Sequence, residues 1–273
     1  MSVLRFQDEV HHKPLDVSRA ALSFAQEIAY PRLDVEHYLD ELDNLTRAAR
    51  AAVPNHSPIV ERAISLGEFL FVKEGFQGNQ ADYWDPRNSF LNDVLDRRLG
   101  IPISLSAVYL HVGLRLGLPV GGVGLPGHFI VCVRGDHKTT YLDPFHDGKV
   151  LSAADCSLLV QKATGFDGRF QKEWLRKSQP SEMITRMLNN LRGIYIHKEE
   201  WPKAVSVVER LRILWPKSPD YQRDLGLLLY RQGSLRRSVD TLSTYLRQNP
   251  DAPDAAEIKN CMRHICKELA ILN

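Results

Sequence analysis

Cysteine is scarce. The chain has four in 273 residues (Cys132, Cys156, Cys261 and Cys266), too few and too irregularly spaced to form a disulfide framework for this length. Reduced thiols and a cytoplasmic setting are the plain expectation. Long apolar runs are missing too. None approaches the roughly 18 residues a membrane helix needs, and the opening MSVLRFQDEVHHKPLDVSRA lacks the apolar stretch of a secretory signal. There is also no excess of charge of one sign. A net charge of +2 is too small to make nucleic acid or a membrane surface the main partner. What is present, 44% apolar and 25% charged residues, is the balance of a globular protein. At this length such a chain buries a substantial core in one large domain or two smaller ones.

The most informative stretch is residues 100–150. From Ser104 to Leu116 the apolar residues Leu105, Val108, Tyr109, Val112 and Leu116 recur at helical spacing. Pro102 and the nearby serines suit a helix start, and Gly117 with Pro119 suits its end. Three short β-branched runs follow: Val120–Val123, His128–Val133 and Thr139–Leu142. The last two flank the polar turn Arg134–Lys138 and predict an antiparallel hairpin. Pairing centred between Asp136 and His137 sets Ile130 opposite Asp143, so that His128, Ile130 and Asp143 share one sheet face. A histidine and a carboxylate on one face, with a serine at a nearby helix start, is a nucleophile–base–orienter layout.

These residues carry a family likeness. The segment resembles the transglutaminase-like core, a papain-related fold with Cys at a helix start and His and Asp on consecutive strands. The His128-to-Asp143 separation, 143 − 128 = 15, is typical of that core. DPRNSFLNDVLDRRLGIPISLS (Asp85–Ser106), GVGLPGHFIV and YLDPF further resemble a bacterial family of transglutaminase-like proteins with C-terminal tetratricopeptide repeats, the first of the Sir-B families. The likeness spans nearly the whole chain. It implies that Ser104 stands where the core carries its nucleophilic Cys, with Ser106 the next-best alignment.

Upstream, helices are predicted from Asp16 to about Ala29, from Asp34 to about Ala52 and from Ser57 to about Phe71. Lys73–Asn88 predicts a long loop, and Asp85 or Ser89 caps a short helix to Arg98. Downstream, Ala153–Thr164 reads as a helix. A 34-residue repeat then appears: Pro216 and Pro250, Ala204 and Ser238, Leu191 and Leu225, the tetratricopeptide period. It predicts the helix pairs Met183–His197 with Trp201–Trp215 and Tyr221–Arg231 with Leu235–Gln248, and a capping helix from about Asp254 to Ile271. The expected class is therefore α+β: a helical lobe (1–99), a transglutaminase-like helix and antiparallel-sheet core (100–180), then an all-α repeat region (181–273).

Each candidate residue also has a plain structural use. Ser104 is either a nucleophile beside free helix-end amides or simply a helix cap. His128 and Asp143 are base and orienter, or a strand-start histidine and a turn residue before Pro144. Asn92 and Asp93 are pocket-lining groups by the resemblance, or solvated polar residues, with Arg97 and Arg98 available to pair with Asp93. In the repeats, Asn189, Arg223 and Tyr230 fall on the first helices of the pairs and could grip a peptide or a carboxylate terminus, or form a solvated face. Cys132 reads as a small buried residue, and His111 and His146 as surface or core histidines. Cys261, His264 and Cys266 do not make a metal site, because 266 lies well round the helix from 261. Gly121–Gly124 lacks the strand-then-helix context of a phosphate loop.

Two functions follow. One is a hydrolase or acyl-transferase acting on an amide, ester or peptide-like substrate, with Ser104 attacking, His128 as base then acid, and Asp143 orienting. The other is a non-catalytic interaction protein that retains the cleft and holds a protein or peptide partner through the cleft or the repeats. No metal or organic cofactor is implied by either. Serine in place of cysteine favours the second, because a hydroxyl is not ionised by an adjacent imidazole as a thiol is.

Overall fold

The computed structural model describes residues 5–272. The chain divides into two compact units, one up to Met187 and the other from Leu188 onward. The division falls inside the helix that begins at Pro180, later than the boundary expected there.

The first unit opens with helices α1 (Phe6–His11), α2 (Val17–Ile28), α3 (Val35–Ala52) and α4 (Ile59–Gly67), the last continuing as a π-helical turn through Lys73. Asp16 and Asp34 accept hydrogen bonds from the first free amides of α2 and α3, the role expected of short acidic residues at helix starts. Asp85 does cap, but it caps the 3-10 turn Pro86–Asn88. The following helix α5 (Leu91–Arg97) starts after Phe90 with no side-chain cap.

Helix α6 (Pro102–Arg115) is the centre of this unit. Every residue from Pro102 to Gly113 is buried. The helical spacing in the sequence marks one apolar face, but Ile103, Ala107 and Leu110 fill the rest, and a helix apolar all round is a core helix. It packs beside α2, α3 and α4 on the helical side and beside the sheet on the other. The sheet has four antiparallel strands in sequence order. These are β3 (Val120–Leu125), β4 (His128–Arg134), β5 (Thr139–Asp143) and β6 (Lys149–Leu151), labelled after two short strands, β1 (Gln77–Gly78) and β2 (Leu99–Gly100), which pair parallel. The β4–β5 register pairs Arg134 with Thr139 and Val131 with Leu142; the next step sets Ile130 against Asp143, as the centre at 136/137 predicts. Strand β6 is unforeseen because LysValLeu is too short to show alternation. Helix α7 (Ala153–Thr164) closes against the sheet through Val123, Leu125, Ile130, Leu151, Cys156 and Val160.

The second unit is helical throughout its described residues. Helix α8 (Pro180–His197) leads into α9 (Trp201–Leu214), then α10 (Pro219–Arg231), α11 (Leu235–Gln248) and α12 (Ala255–Leu272), within a few residues of the expected helix pairs. The small residues of the repeat mark close helix approaches. Gly226 lies so near α11 that an added Cβ would fall 2.6 Å from Leu242 Cγ, and Ser238 donates to the Gly226 carbonyl at 2.7 Å. Gly226→Ala should therefore force α10 and α11 apart and cost about 1–3 kcal/mol, measured by urea unfolding followed by helical circular dichroism.

One buried histidine gives the first unit a pH dependence. His111 on α6 accepts or donates at Nδ1 with Ser18 Oγ at 2.8 Å, and its Nε2 lies 3.5 Å from Asp43. Burial, reinforced by the nearby Arg115 charge, lowers its pKa from 6.5 to about 4. The folded state holds this ring neutral while the unfolded chain protonates it, so its contribution is complete above about pH 6.5 and is lost as pH falls towards 4. Between pH 7 and pH 5 the native protein should lose about 2 kcal/mol that the His111→Gln variant does not lose. Parallel urea titrations at the two pH values measure the difference.

Candidate functional site

The site forms where β4 begins and β5 ends. His128 is the first residue of β4 and is paired across the sheet with Leu125. Asp143 is the last residue of β5 and starts the 3-10 turn Pro144–His146. The predicted hairpin brings them together. His128 Nε2 lies 3.0 Å from each Asp143 carboxylate oxygen, and both residues are buried, Asp143 at 1% exposure. The Phe145 amide donates to Asp143 Oδ1 at 3.0 Å. Burial alone would raise the Asp143 pKa, but the hydrogen bonds and charges of His128 and His146 outweigh it and hold the carboxyl below its ordinary range. The group is thus an anion at neutral pH, fixed by the strand end and by its own turn.

Ser104 sits differently. Ile101 occupies the N-cap position of α6, and Ser104 is the third residue of its first turn. Its side chain reaches back: Oγ accepts from the Ile101 amide at 3.0 Å and donates to the Asn88 carbonyl at 2.6 Å. The residue is 0% exposed. Among the described residues, no hydrogen bond joins Ser104 to His128. Gly100 is required beside it, because a Cβ there would lie 2.7 Å from Ser104 Oγ. Ser106, two residues along α6, is equally buried, and its hydroxyl has no partner among the described residues.

Residues 36–189 match the transglutaminase-like superfamily, and residues 191–263 match the tetratricopeptide repeat. A UPF0162 protein of Xylella fastidiosa (strain Temecula1) is 30% identical over 262 residues, covering 95% of this chain and 93% of the relative. The chain is a transglutaminase-like protein of the UPF0162 family. F-box only protein 21 of Mus musculus is 39% identical over 104 residues, which cover 35% of this chain and 17% of that protein. A menin crystal structure aligns with a TM-score of 0.43 at 12% identity, over 95% of this chain and 68% of that one.

Asn92 is buried with its side-chain oxygen unpartnered among the described residues. Asp93 accepts from the Tyr30 hydroxyl, and burial raises its pKa. Neither bonds to Ser104, His128 or Asp143 among the described residues. Arg97 pairs with Asp85 at 3.3 Å, not with Asp93, and Arg98 lies over the Phe76 ring at 4.5 Å. In the repeats, Arg223 is held by Asp220, Asp224 and Asp254 at 3.1–3.2 Å. Tyr230 donates to Glu268 at 2.8 Å, and Asn189 donates to Tyr221 at 3.3 Å. Each of these three groups has at least one partner within the repeat region.

The residue that sequence reasoning missed is His146. Its Nδ1 lies 2.8 Å from Asp143 Oδ2, and its ring is 5.8 Å from that of His128. The signal was present in DPFH. Side chains three residues apart on a 3-10 turn eclipse one another, so an Asp that caps such a turn meets the residue at i+3.

The carboxylate of this transglutaminase-like site therefore receives three donors. Asp143→Asn replaces one acceptor oxygen by an NH2 donor facing other donors, and should cost about 2–4 kcal/mol at neutral pH. Because the folded Asp143 pKa is depressed, its contribution is present above the unfolded value of about 3.9 and is lost as pH falls below it. The gap between variant and native protein should accordingly close in acid, as read from unfolding midpoints between pH 7 and pH 3.

Proposed function

We propose that this chain is a non-catalytic member of its superfamily, an interaction or regulatory protein in which Ser104 stands where the transglutaminase-like core carries its nucleophilic Cys. The single observation behind this reading is the state of the Ser104 hydroxyl. It is fully buried, accepts from the Ile101 amide and donates to the Asn88 carbonyl. A nucleophile must lend its proton to a base during attack. This hydroxyl lends its proton to a backbone carbonyl. The tetratricopeptide repeats supply the other half of the proposal, since repeats of this kind serve generally as surfaces for protein or peptide partners. A cytoplasmic setting accords with the four free cysteines; among the described residues no helix is long and apolar enough to cross a membrane.

The preserved His128–Asp143 pair supports a second reading, a serine-dependent hydrolase or acyl-transferase acting on an amide, ester or peptide-like substrate, with His128 as base and Asp143 as its orienter. One experiment separates the two. Under the non-catalytic reading, a fluorophosphonate probe leaves Ser104 and Ser106 unmodified by mass spectrometry, while Ser104→Ala lowers stability by about 1–3 kcal/mol through the two backbone groups it leaves unpaired. A covalent adduct on Ser104 that disappears in His128→Ala, with Ser104→Ala as stable as the native protein, would establish the hydrolase instead.

A further inference from the structure

His128, Asp143 and His146 offer two imidazole nitrogens and a carboxylate oxygen that all lie within 4.8 Å of one another. We infer that they form a binding site for one divalent transition-metal ion of the zinc class. Asp143 Oδ2 is the shared point, 3.0 Å from His128 Nε2 and 2.8 Å from His146 Nδ1. In a tetrahedral site with bonds of about 2.0–2.1 Å, ligand atoms stand about 3.3 Å apart. The two nitrogen–oxygen separations need to lengthen by only about 0.3–0.5 Å to reach that spacing, and the two nitrogens stand within 4.8 Å of each other. Each ring then presents that nitrogen's lone pair, its proton residing on the other ring nitrogen.

The surroundings are arranged as a ligand set requires. Asp143 Oδ1 accepts from the Phe145 amide as well as facing His128, while Oδ2 faces both histidines; the amide contact is the kind of outer hydrogen bond that orients metal ligands. The turn carrying His146 is closed by the Gly148 amide, which donates to the Asp143 carbonyl at 2.8 Å. Gly148 has φ 73°, and a Cβ there would come within 2.9 Å of the Phe71 ring, so the turn admits little but glycine at that point. The His146 side chain is 45% exposed while those of His128 and Asp143 are 8% and 1%. An ion thus has an approach from solvent to two otherwise buried ligands. Two nitrogens and one carboxylate select zinc, cobalt or nickel over magnesium and calcium, which take oxygen ligands. Three protein ligands leave a fourth position for water or a substrate oxygen.

The inference goes beyond the non-catalytic reading and does not depend on it. Fluorophosphonate labelling is read on the metal-stripped chain, where no ion occupies His128, so the two results fall independently. The test uses the full chain, stripped with chelator and titrated with Zn2+ alone by calorimetry, with Co2+ as a spectroscopic substitute. One ion per chain is expected, with visible Co2+ absorption typical of four-coordinate nitrogen and oxygen ligation. His146→Ala, at an exposed position that should leave the fold unchanged by circular dichroism, should weaken binding at least about tenfold and abolish the Co2+ bands. His128→Gln should do the same. Cys266→Ser and His264→Ala, which remove exposed groups of α12 able to take up zinc adventitiously, should leave both readouts unchanged. Binding that survives His146→Ala and His128→Gln, or that vanishes with Cys266→Ser, overturns the assignment, as does the failure of the native chain to bind Zn2+ at all.

Discussion

The complete burial of α6 is the constraint on which the first unit depends. A helix start leaves four amides without intrahelical partners, and a start sunk in the core cannot hand them to water. Pro102 removes one donor outright. The Ser104 side chain takes the Ile101 amide and ties the turn to the Asn88 carbonyl, and Asn88 in turn holds the long loop through Asn79 and the Asp82 carbonyl. One hydroxyl thereby joins the central helix to the loop that precedes α5. Gly100 and Gly78 fit the same demand, since a Cβ on Gly78 would fall 2.6 Å from Phe145 and push away the turn that carries His146.

This chain of contacts explains why chemical resemblance and local geometry diverge at Ser104. A thiol is a weak hydrogen-bond donor and acceptor and would leave Ile101 and Asn88 poorly satisfied in the same place. Serine satisfies both. A buried helix start requires such a group here for its own stability. His128 and Asp143 ask for none of these groups, because the strand pairing and the turn after Asp143 position them.

Much of this was legible in the residues, and the limits have physical causes. The hairpin register could be read because its centre is fixed by the Arg134–Lys138 turn, and strand periodicity then places His128 and Asp143 on one face without further information. The repeat helices were legible because a 34-residue period overdetermines them. The plain structural reading of Ser104, set beside the nucleophile reading, was a helix cap; it is the third residue of the turn, reaching back, and serine is favourable in both positions, so composition could not separate them. Arg97 found Asp85 across the loop instead of Asp93 on its own helix, since local spacing predicts only what a helix offers in isolation. His146 was passed over because histidine after a proline turn looks like surface, and a 3-10 turn of three residues leaves no periodic signature.

The sharing of Asp143 by two histidines bears on what the dyad can do. An orienting carboxylate is effective when it holds one imidazole in one tautomer. Here Oδ2 faces two rings and Oδ1 also accepts from Phe145, so the anion is divided among three donors. The second ring competes for the lone pairs that would fix the first, and the partly exposed His146 makes that competition sensitive to what occupies the solvent side. An occupant between the two rings would meet both imidazoles and the shared carboxylate at once.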